Sequence, residues 1–282
     1  MTQSDTNYLR ELLEENPSLT DLSWIDENLT LIITQKDTQK LYLTYSLLAT
    51  KSGDKQLRID DHSTPELAYL DNQQASMLQL SRIYLLAGAL EADFDFFGSK
   101  VAQIIQVADQ AELITFLKFL VLLPRAESFK ETAVEALRTN ITPVFEAITM
   151  NNPYPGLHFN EQQWNQMYLK AAFMQLSLDR IIGVERRANA ELARIISDYA
   201  HERWAASRDI DPMIWRPVSR YLDNNLLEDM DRLLKSDSPS ENKAAALCCY
   251  YSSSEEAMNL LESVAPKWNQ AIGNNELNWN QI

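Results

Sequence analysis

The stretch from Trp164 to Arg208 reads WNQMYLKAAFMQLSLDRIIGVERRANAELARIISDYAHERWAASR. Apolar residues recur in it at three- and four-residue spacing on both sides of one glycine. This pattern predicts two long helices joined by a glycine-containing turn. The second helix is predicted to start after Asn189, whose side-chain oxygen can accept a backbone N–H of the first turn. The stretch therefore favours an all-α fold and is the part of the chain around which the other helices are expected to pack.

Two cations fall among the apolar positions of these helices. At about 100° per residue, Arg203 lies near the middle of the apolar stripe of the second helix, and Lys170 lies on a first helix that is apolar nearly all round. A charge in such a place needs a partner, because burying it alone costs several kcal/mol. Two interpretations stay open: a buried cap or ion pair that fixes helix register, or two cations that face an anionic ligand between helices.

The same stretch differs in charge from the rest of the chain. Its 7 Lys+Arg and 5 Asp+Glu give +2, whereas the whole chain carries −15. Arg186 and Arg187 stand just before the predicted helix N-terminus, which itself favours anions. These arginines either form an anion site or pair with Glu185, Glu191 and other acidic neighbours.

Asp198 and His201 are three residues apart on the second helix, and Arg194 precedes Asp198 by four, so the three side chains are expected to touch. Asp198 could orient the His201 ring for acid–base chemistry. The alternative is a surface salt bridge without a catalytic role.

Composition narrows the function classes. The 282 residues are 45% hydrophobic with only six glycines, which is typical of a soluble helical protein. A net charge of −15 argues against nucleic-acid binding and against anionic lipid surfaces. Cys248 and Cys249 are expected to be small core residues in a reducing compartment. Because no secretory signal or membrane span is evident, we expect a cytoplasmic protein.

Motifs for cofactor chemistry are missing from the sequence. There is no H-E-x-x-H, no C-x-x-C, no glycine-rich phosphate loop and no G-x-S-x-G. We therefore predict no metal and no cofactor.

Elsewhere, helices recur about every 16 residues, so a hairpin recurs every 32–34 residues, as in stacks of the HEAT or TPR kind. We predict one domain over 1–282, an α–α superhelix of antiparallel hairpins. It would consist of variable N-terminal helices (1–62), regular hairpins (63–150) and a core (151–272). The core contains the polar seam, which is the set of polar residues around Lys170 and Arg203 among the apolar helix faces. The predicted helices are 6–16, 22–35, 38–50, 75–91, 93–107, 109–123, 126–138, 141–149, 210–221, 223–235, 239–251 and 254–265.

Several segments resemble a known family. RTNITPVFEAITMNNPYP, WNQMYLK, GVERRAN, ELARIISDYAHERWAASR and DPMIWRPV look like the EboA family, with the densest matches from Arg138 to Val218. EboA-type proteins are encoded in bacterial clusters with a UbiA-like prenyltransferase and a TatD-like hydrolase. The resemblance implies a role in the traffic of natural-product precursors from cytoplasm to periplasm.

The expected function is a non-catalytic binding or adaptor protein for a partner of the same cluster or for an anionic metabolite. The alternatives are an enzyme of small-molecule metabolism that uses Asp198, His201 and Lys170, and a helical scaffold with no ligand site. The residues that the resemblance places in the binding site are Asn165, Lys170, Arg187, Asn189, Asp198, His201, Glu202, Arg203 and Trp204.

Overall fold

The computed structural model describes residues 7–16 and 20–282. Within these residues the chain forms 18 α-helices and five 3₁₀ helices, and no strand. Two isolated β-bridges, Thr20–Ser52 and Gln56–Ser76, join loop segments. The predicted all-α class is confirmed.

The chain divides into two compact units, Met1–Tyr154 and Pro155–Ile282. The first contains α1 (Asn7–Glu14), α2 (Leu22–Gln35), α3 (Thr38–Lys51), α4 (Pro65–Asn72), α5 (Met77–Ala92), α6 (Phe94–Ala102), α7 (Ile104–Val107), α8 (Gln110–Phe119), α9 (Lys130–Ala136) and α10 (Thr142–Thr149). Its 3₁₀ helices are Leu120–Leu122 and Ala126–Phe129.

The first unit is built around α5. This helix starts at a capping box in which Ser76 and Gln79 satisfy each other's backbone N–H groups. It is buried along nearly its whole length and packs against α1, α2, α3 and α8. Because α5 is buried on every side, its one charged residue in the interior, Arg82, needs an internal partner, which is Glu112 of α8.

After α11 (Tyr154–His158) at the boundary, the second unit contains α12 (Glu161–Phe173), α13 (Val184–Arg187), α14 (Ala190–Ala205), α15 (Asn224–Leu234), α16 (Pro239–Tyr250), α17 (Glu255–Val264) and α18 (Pro266–Gly273). Its 3₁₀ helices are Leu178–Arg180, Pro212–Tyr221 and Trp279–Gln281. The centre is α16, in which Ala244 to Cys249 are all buried. This helix packs against the 3₁₀ helix Pro212–Tyr221 and against α15, α17 and α18. Cys248 and Cys249 are buried free thiols, as predicted.

Most predicted helices are present, but several differ. The predicted helix 93–107 is divided into α6 and α7, and parts of 109–123 and 126–138 are 3₁₀ helices. Helices α4, α11, α13 and α18 were not predicted, and α13 lies in the connection that was predicted to be a turn. The segment predicted as an α-helix over 210–221 is a 3₁₀ helix with Pro217 in its interior, whose ring would clash with the carbonyl four residues back in an α-helix. Residue 6 of the predicted helix 6–16 lies outside the described residues.

Candidate functional site

The first part of the site is a pair of asparagines that joins α12 to the start of α14. Asn165 donates its amide to Asn189 Oδ1 at 3.1 Å, and Asn189 donates back to Asn165 Oδ1 at 2.9 Å. Asn189 Oδ1 also accepts the backbone N–H of Leu192 at 2.9 Å, so the predicted N-cap is confirmed. Both side chains are buried with their hydrogen bonds made within the protein. This pair holds the N-terminus of α14 against α12.

The connection carries an arginine pair, Arg186 and Arg187, on the short helix α13. Arg186 Nη2 lies 3.4 Å and Arg187 Nη1 3.3 Å from the same acceptor, the carbonyl oxygen of Gly156. Arg187 Nη2 also donates to Phe159 O at 2.7 Å, and its guanidinium stands over the Trp164 ring, 5.3 Å from the centroid. Two guanidinium groups therefore converge on one neutral acceptor.

No described carboxylate pairs with either member of the arginine pair. The two acidic residues that the sequence offered as partners are engaged elsewhere: Glu185 accepts from Arg216 at 2.6 Å, and Glu191 accepts from Arg194 at 2.8 Å. The interpretation of an ion-pair network is therefore wrong for these arginines. Burial, together with the charge of Arg186, lowers the pKa of the Arg187 guanidinium, whereas the charge of Glu161 raises it.

Two glycines make room for the Arg186 side chain. A Cβ on Gly156 would come within 3.1 Å of Arg186 Nη2, and a Cβ on Gly183 within 3.4 Å. Gly183 also has φ of +85°, in the left-handed region that side chains with a Cβ rarely adopt. The guanidinium of Arg186 thus lies against two glycine-containing backbone segments.

Replacing Gly183 with alanine is expected to lower the free energy of unfolding by about 1–2 kcal/mol, because a Cβ destabilises the left-handed conformation by this amount. Urea denaturation monitored by circular dichroism measures the loss. Gly156→Ala is the control, since Gly156 has no positive φ and the new methyl meets mainly the movable end of Arg186. Equal losses in the two variants would contradict the conformational explanation for Gly183.

The second part of the site is the Asp229 cluster, which consists of Ser197 and His201 of α14 and Asp229 of α15. Ser197 donates its hydroxyl to Asp229 Oδ2 at 2.6 Å, and His201 Nε2 lies 2.6 Å from Asp229 Oδ1. The Asp229 side chain is only 3% exposed, whereas the His201 side chain is 54% exposed. A buried carboxylate is thus stabilised by two short contacts from the neighbouring helix.

Trp204 follows this cluster on the same face of α14. Its ring stacks on Trp215 at a centroid distance of 6.0 Å, and the Arg232 guanidinium lies 4.2 Å from its centroid. The His201 ring is 5.6 Å away. Ser197, His201 and Trp204 are spaced by four and three residues, so they form one stripe that meets α15 and the 3₁₀ helix Pro212–Tyr221.

The predicted pairing of His201 with Asp198 is therefore wrong. His201 turns toward Asp229 of another helix, while Asp198 accepts from Arg194 Nη1 at 2.6 Å on the exposed face of α14. The neighbouring Glu202 is also exposed. The predicted contact between Arg194 and Asp198 is confirmed, but the acid–base pair is not formed.

The two cations behind the predicted polar seam differ from each other. Arg203 is half-buried rather than central to the core, and its Nε donates to Asp209 O at 3.0 Å. It lies in the last turn of α14, so its guanidinium reaches past the helix end instead of into the apolar stripe. Lys170 is half-buried as well, and desolvation lowers the pKa of its amine. On the same helix Phe173 is exposed.

Asp229 and Ser197 were missed by sequence reasoning, although one signal pointed to Asp229. In α15, Leu226, Met230 and Leu233 are buried, and Asp229 lies three residues after the first and four before the last. A carboxylate at this spacing falls on the apolar face of its helix and needs a donor there. Nothing comparable marks Ser197.

Two features are absent from residues 7–16 and 20–282. No group of three or more His, Cys, Asp or Glu side chains there could hold a metal ion. No helix in these ranges has the length and apolar character needed to cross a bilayer.

Comparison with known proteins identifies one family. The family described as "Metabolite traffic protein EboA" matches residues 5–219 of the chain. No curated protein and no solved structure matches the chain. The matched range covers most of the chain and includes the arginine pair, both asparagines, and Ser197, His201 and Trp204. The chain belongs to the EboA family of metabolite traffic proteins.

Proposed function

We propose that this chain is a non-catalytic binding protein that holds an anionic metabolite at the arginine pair. One observation carries the proposal: Arg186 and Arg187 converge on the carbonyl oxygen of Gly156 without a carboxylate partner among the described residues. A carbonyl dipole accepts their hydrogen bonds but does not neutralise two full charges. An anion that bridges the guanidiniums would supply the missing charge and take N–H donors that are still unused.

The charge distribution supports this proposal. The chain as a whole is strongly negative at −15, so an anion is repelled by most of the surface. Cations without acidic partners are therefore the places where it can bind. Arg203 is a further such cation, because it donates to a backbone carbonyl rather than to a carboxylate.

Lys170, Asp198, His201, Glu202 and Trp204 remain proposed members of a wider binding surface. The enzyme alternative requires an acid–base pair of Asp198 and His201, and these two residues have different partners. The scaffold alternative predicts that Lys170 and Arg203 are paired with internal carboxylates. Against it, Arg203 donates to the backbone carbonyl of Asp209 and to no carboxylate of the described residues.

The family description and the resemblance support a wider proposal. We place the protein in the cytoplasm of a bacterium, where it would take part in the traffic of natural-product precursors with a UbiA-like prenyltransferase or a TatD-like hydrolase. We also propose that its helices stack as HEAT- or TPR-like hairpins. Co-purification from cells followed by mass spectrometry tests the partners.

Thermal unfolding in pyrophosphate tests the anion site. We expect pyrophosphate to raise Tm more than sodium chloride of equal ionic strength, because a ligand at 100 times its Kd stabilises the folded state by about 2.7 kcal/mol. Arg186→Gln/Arg187→Gln should abolish the excess shift. Isothermal titration calorimetry provides a second measurement of the same binding.

The matched control is Arg208→Gln/Arg220→Gln, which removes the same charge from two exposed arginines of the second unit. This variant should keep the pyrophosphate shift. Arg187 also binds the Phe159 carbonyl, so its loss could affect stability. Arg186→Gln alone should therefore be measured too, because Arg186 is an exposed residue. Identical shifts in the wild type and the double arginine variant would refute the site.

A further inference from the structure

Two exposed aliphatic residues are chain neighbours of the glycines that lie against Arg186. Leu157 directly follows Gly156, and Ile182 directly precedes Gly183. They are 47% and 43% exposed. Their backbones meet at the site, because a Cβ on Gly156 would lie 3.4 Å from Ile182 O and 3.1 Å from Arg186 Nη2. The two apolar residues therefore lie on the two backbone segments that approach Arg186.

This arrangement differs from that of ordinary exposed apolar residues. Single exposed leucines are common on soluble proteins and need no explanation. Here both segments that lie against Arg186 carry one exposed aliphatic residue, and neither Arg186 nor Arg187 pairs with a carboxylate of the described residues. A ligand that uses the whole site needs a charged end for the guanidiniums and an apolar body for the two side chains.

We propose that the ligand of the arginine pair is an aliphatic phosphate, with its phosphate on Arg186 and Arg187 and its hydrocarbon chain over Leu157 and Ile182. This inference rests on the proposed function and names the ligand class of the same site. A phosphate monoester carries a charge of about −1.5 to −2 near neutral pH, which matches two guanidiniums better than one carboxylate does. Its oxygens can also accept from both arginines at once.

The same headgroup exists on dissolved amphiphiles and on phosphatidic acid in a bilayer. The net charge of −15 favours the dissolved ligand, because an anionic membrane surface repels the chain as a whole. The experiment therefore includes both sources.

Calorimetric titrations of the full-length protein with inorganic phosphate and with ethyl, butyl, hexyl and octyl phosphate test the inference, below the micellar concentration and at constant ionic strength. We expect affinity to rise about twofold to fourfold for each methylene that reaches Leu157 and Ile182, the upper value corresponding to full burial. Leu157→Ser/Ile182→Ser should flatten this series and leave the affinity for inorganic phosphate unchanged.

The control variant is Leu43→Ser/Leu47→Ser, which removes two exposed leucines from α3 of the first unit. It should show the same chain-length series as the wild type. Co-sedimentation with vesicles of phosphatidylcholine, with and without phosphatidic acid, tests the membrane source, and we expect no binding to either.

The outcomes separate the inference from the proposed function. Equal affinities for inorganic and octyl phosphate, both lost in Arg186→Gln/Arg187→Gln, would overturn the aliphatic ligand while supporting the anion site. Absence of binding to any phosphate would overturn both. Binding to vesicles with phosphatidic acid but not to octyl phosphate would overturn the dissolved ligand and identify a membrane lipid instead.

Discussion

Replacing Asp229 with alanine is expected to lower the free energy of unfolding by about 3 kcal/mol. The substitution removes the acceptor of two 2.6 Å contacts and leaves the Ser197 hydroxyl without a partner at a buried position. An unsatisfied buried polar group costs about 1–3 kcal/mol, and hydrogen bonds to a charged group contribute about 1.5–3 kcal/mol each. Urea denaturation monitored by tryptophan fluorescence measures the change, because five of the six tryptophans lie in the second unit.

Ser197→Ala provides the intermediate case. It removes one donor from the Asp229 carboxylate but leaves the His201 contact in place. We expect a loss of about 1–2 kcal/mol, smaller than that of Asp229→Ala, because the carboxylate keeps one partner.

The control is Asp198→Ala, which removes the other aspartate that the sequence offered to His201. Asp198 and its partner Arg194 are both exposed, at 62% and 59%, and exposed pairs of this kind often contribute nothing measurable. If Asp198→Ala were as destabilising as Asp229→Ala, the assignment of His201 to the buried carboxylate would be wrong.

The contrast between the two aspartates shows which parts of the site a sequence can predict. Helix starts are local, so Asn189 was identified correctly from its own side chain and the pattern that follows it. The contact of Arg194 with Asp198 is equally local, four residues apart on one helix. The partner of His201 comes from another helix, 28 residues further along the chain, and no periodicity within α14 contains that information.

The prediction for Arg203 was wrong because this residue lies near a helix end. The angle of 100° per residue predicts which face of the helix a side chain occupies, and it assumes that the helix continues on both sides of the residue. Arg203 lies two residues before the end of α14, where a long side chain can reach backbone beyond the last turn. The arginine pair shows the opposite case. Its charge excess was visible in the sequence, but the engagement of Glu185 by Arg216, 31 residues further along the chain, required coordinates.

Replacing Arg82 with methionine in the first unit is expected to lower the free energy of unfolding by about 3–5 kcal/mol. Arg82 Nη2 and Glu112 Oε1 are 3.6 Å apart, and their side chains are 4% and 6% exposed. Removing the guanidinium leaves the carboxylate of Glu112 buried without its cation, which is the costly half of breaking a buried pair. Arg138→Met, at an exposed arginine of the same unit, should cause no measurable change.

A second substitution distinguishes an uncompensated charge from lost packing. Arg82→Met/Glu112→Gln removes both charges, and a glutamine at the start of α8 can still accept the backbone N–H of Asp109, as the carboxylate does at 3.0 Å. We expect the double variant to recover most of the loss, because neutral replacement of a buried pair is often close to neutral in stability. A double variant as unstable as Arg82→Met would show that the guanidinium stabilises through packing, for example against the Tyr45 ring 5.2 Å away.

The same variant tests whether the chain is one domain, as the sequence predicts. Arg82 lies in the first unit, whereas tryptophan fluorescence reports mainly on the second, and circular dichroism reports on helices of both. A single cooperative domain requires both signals of Arg82→Met to shift together to lower urea, because destabilising one part then destabilises the whole. If the circular dichroism signal falls in two steps and fluorescence follows only the later one, the single-domain prediction is wrong, and Met1–Tyr154 unfolds independently of the part that carries the arginine pair.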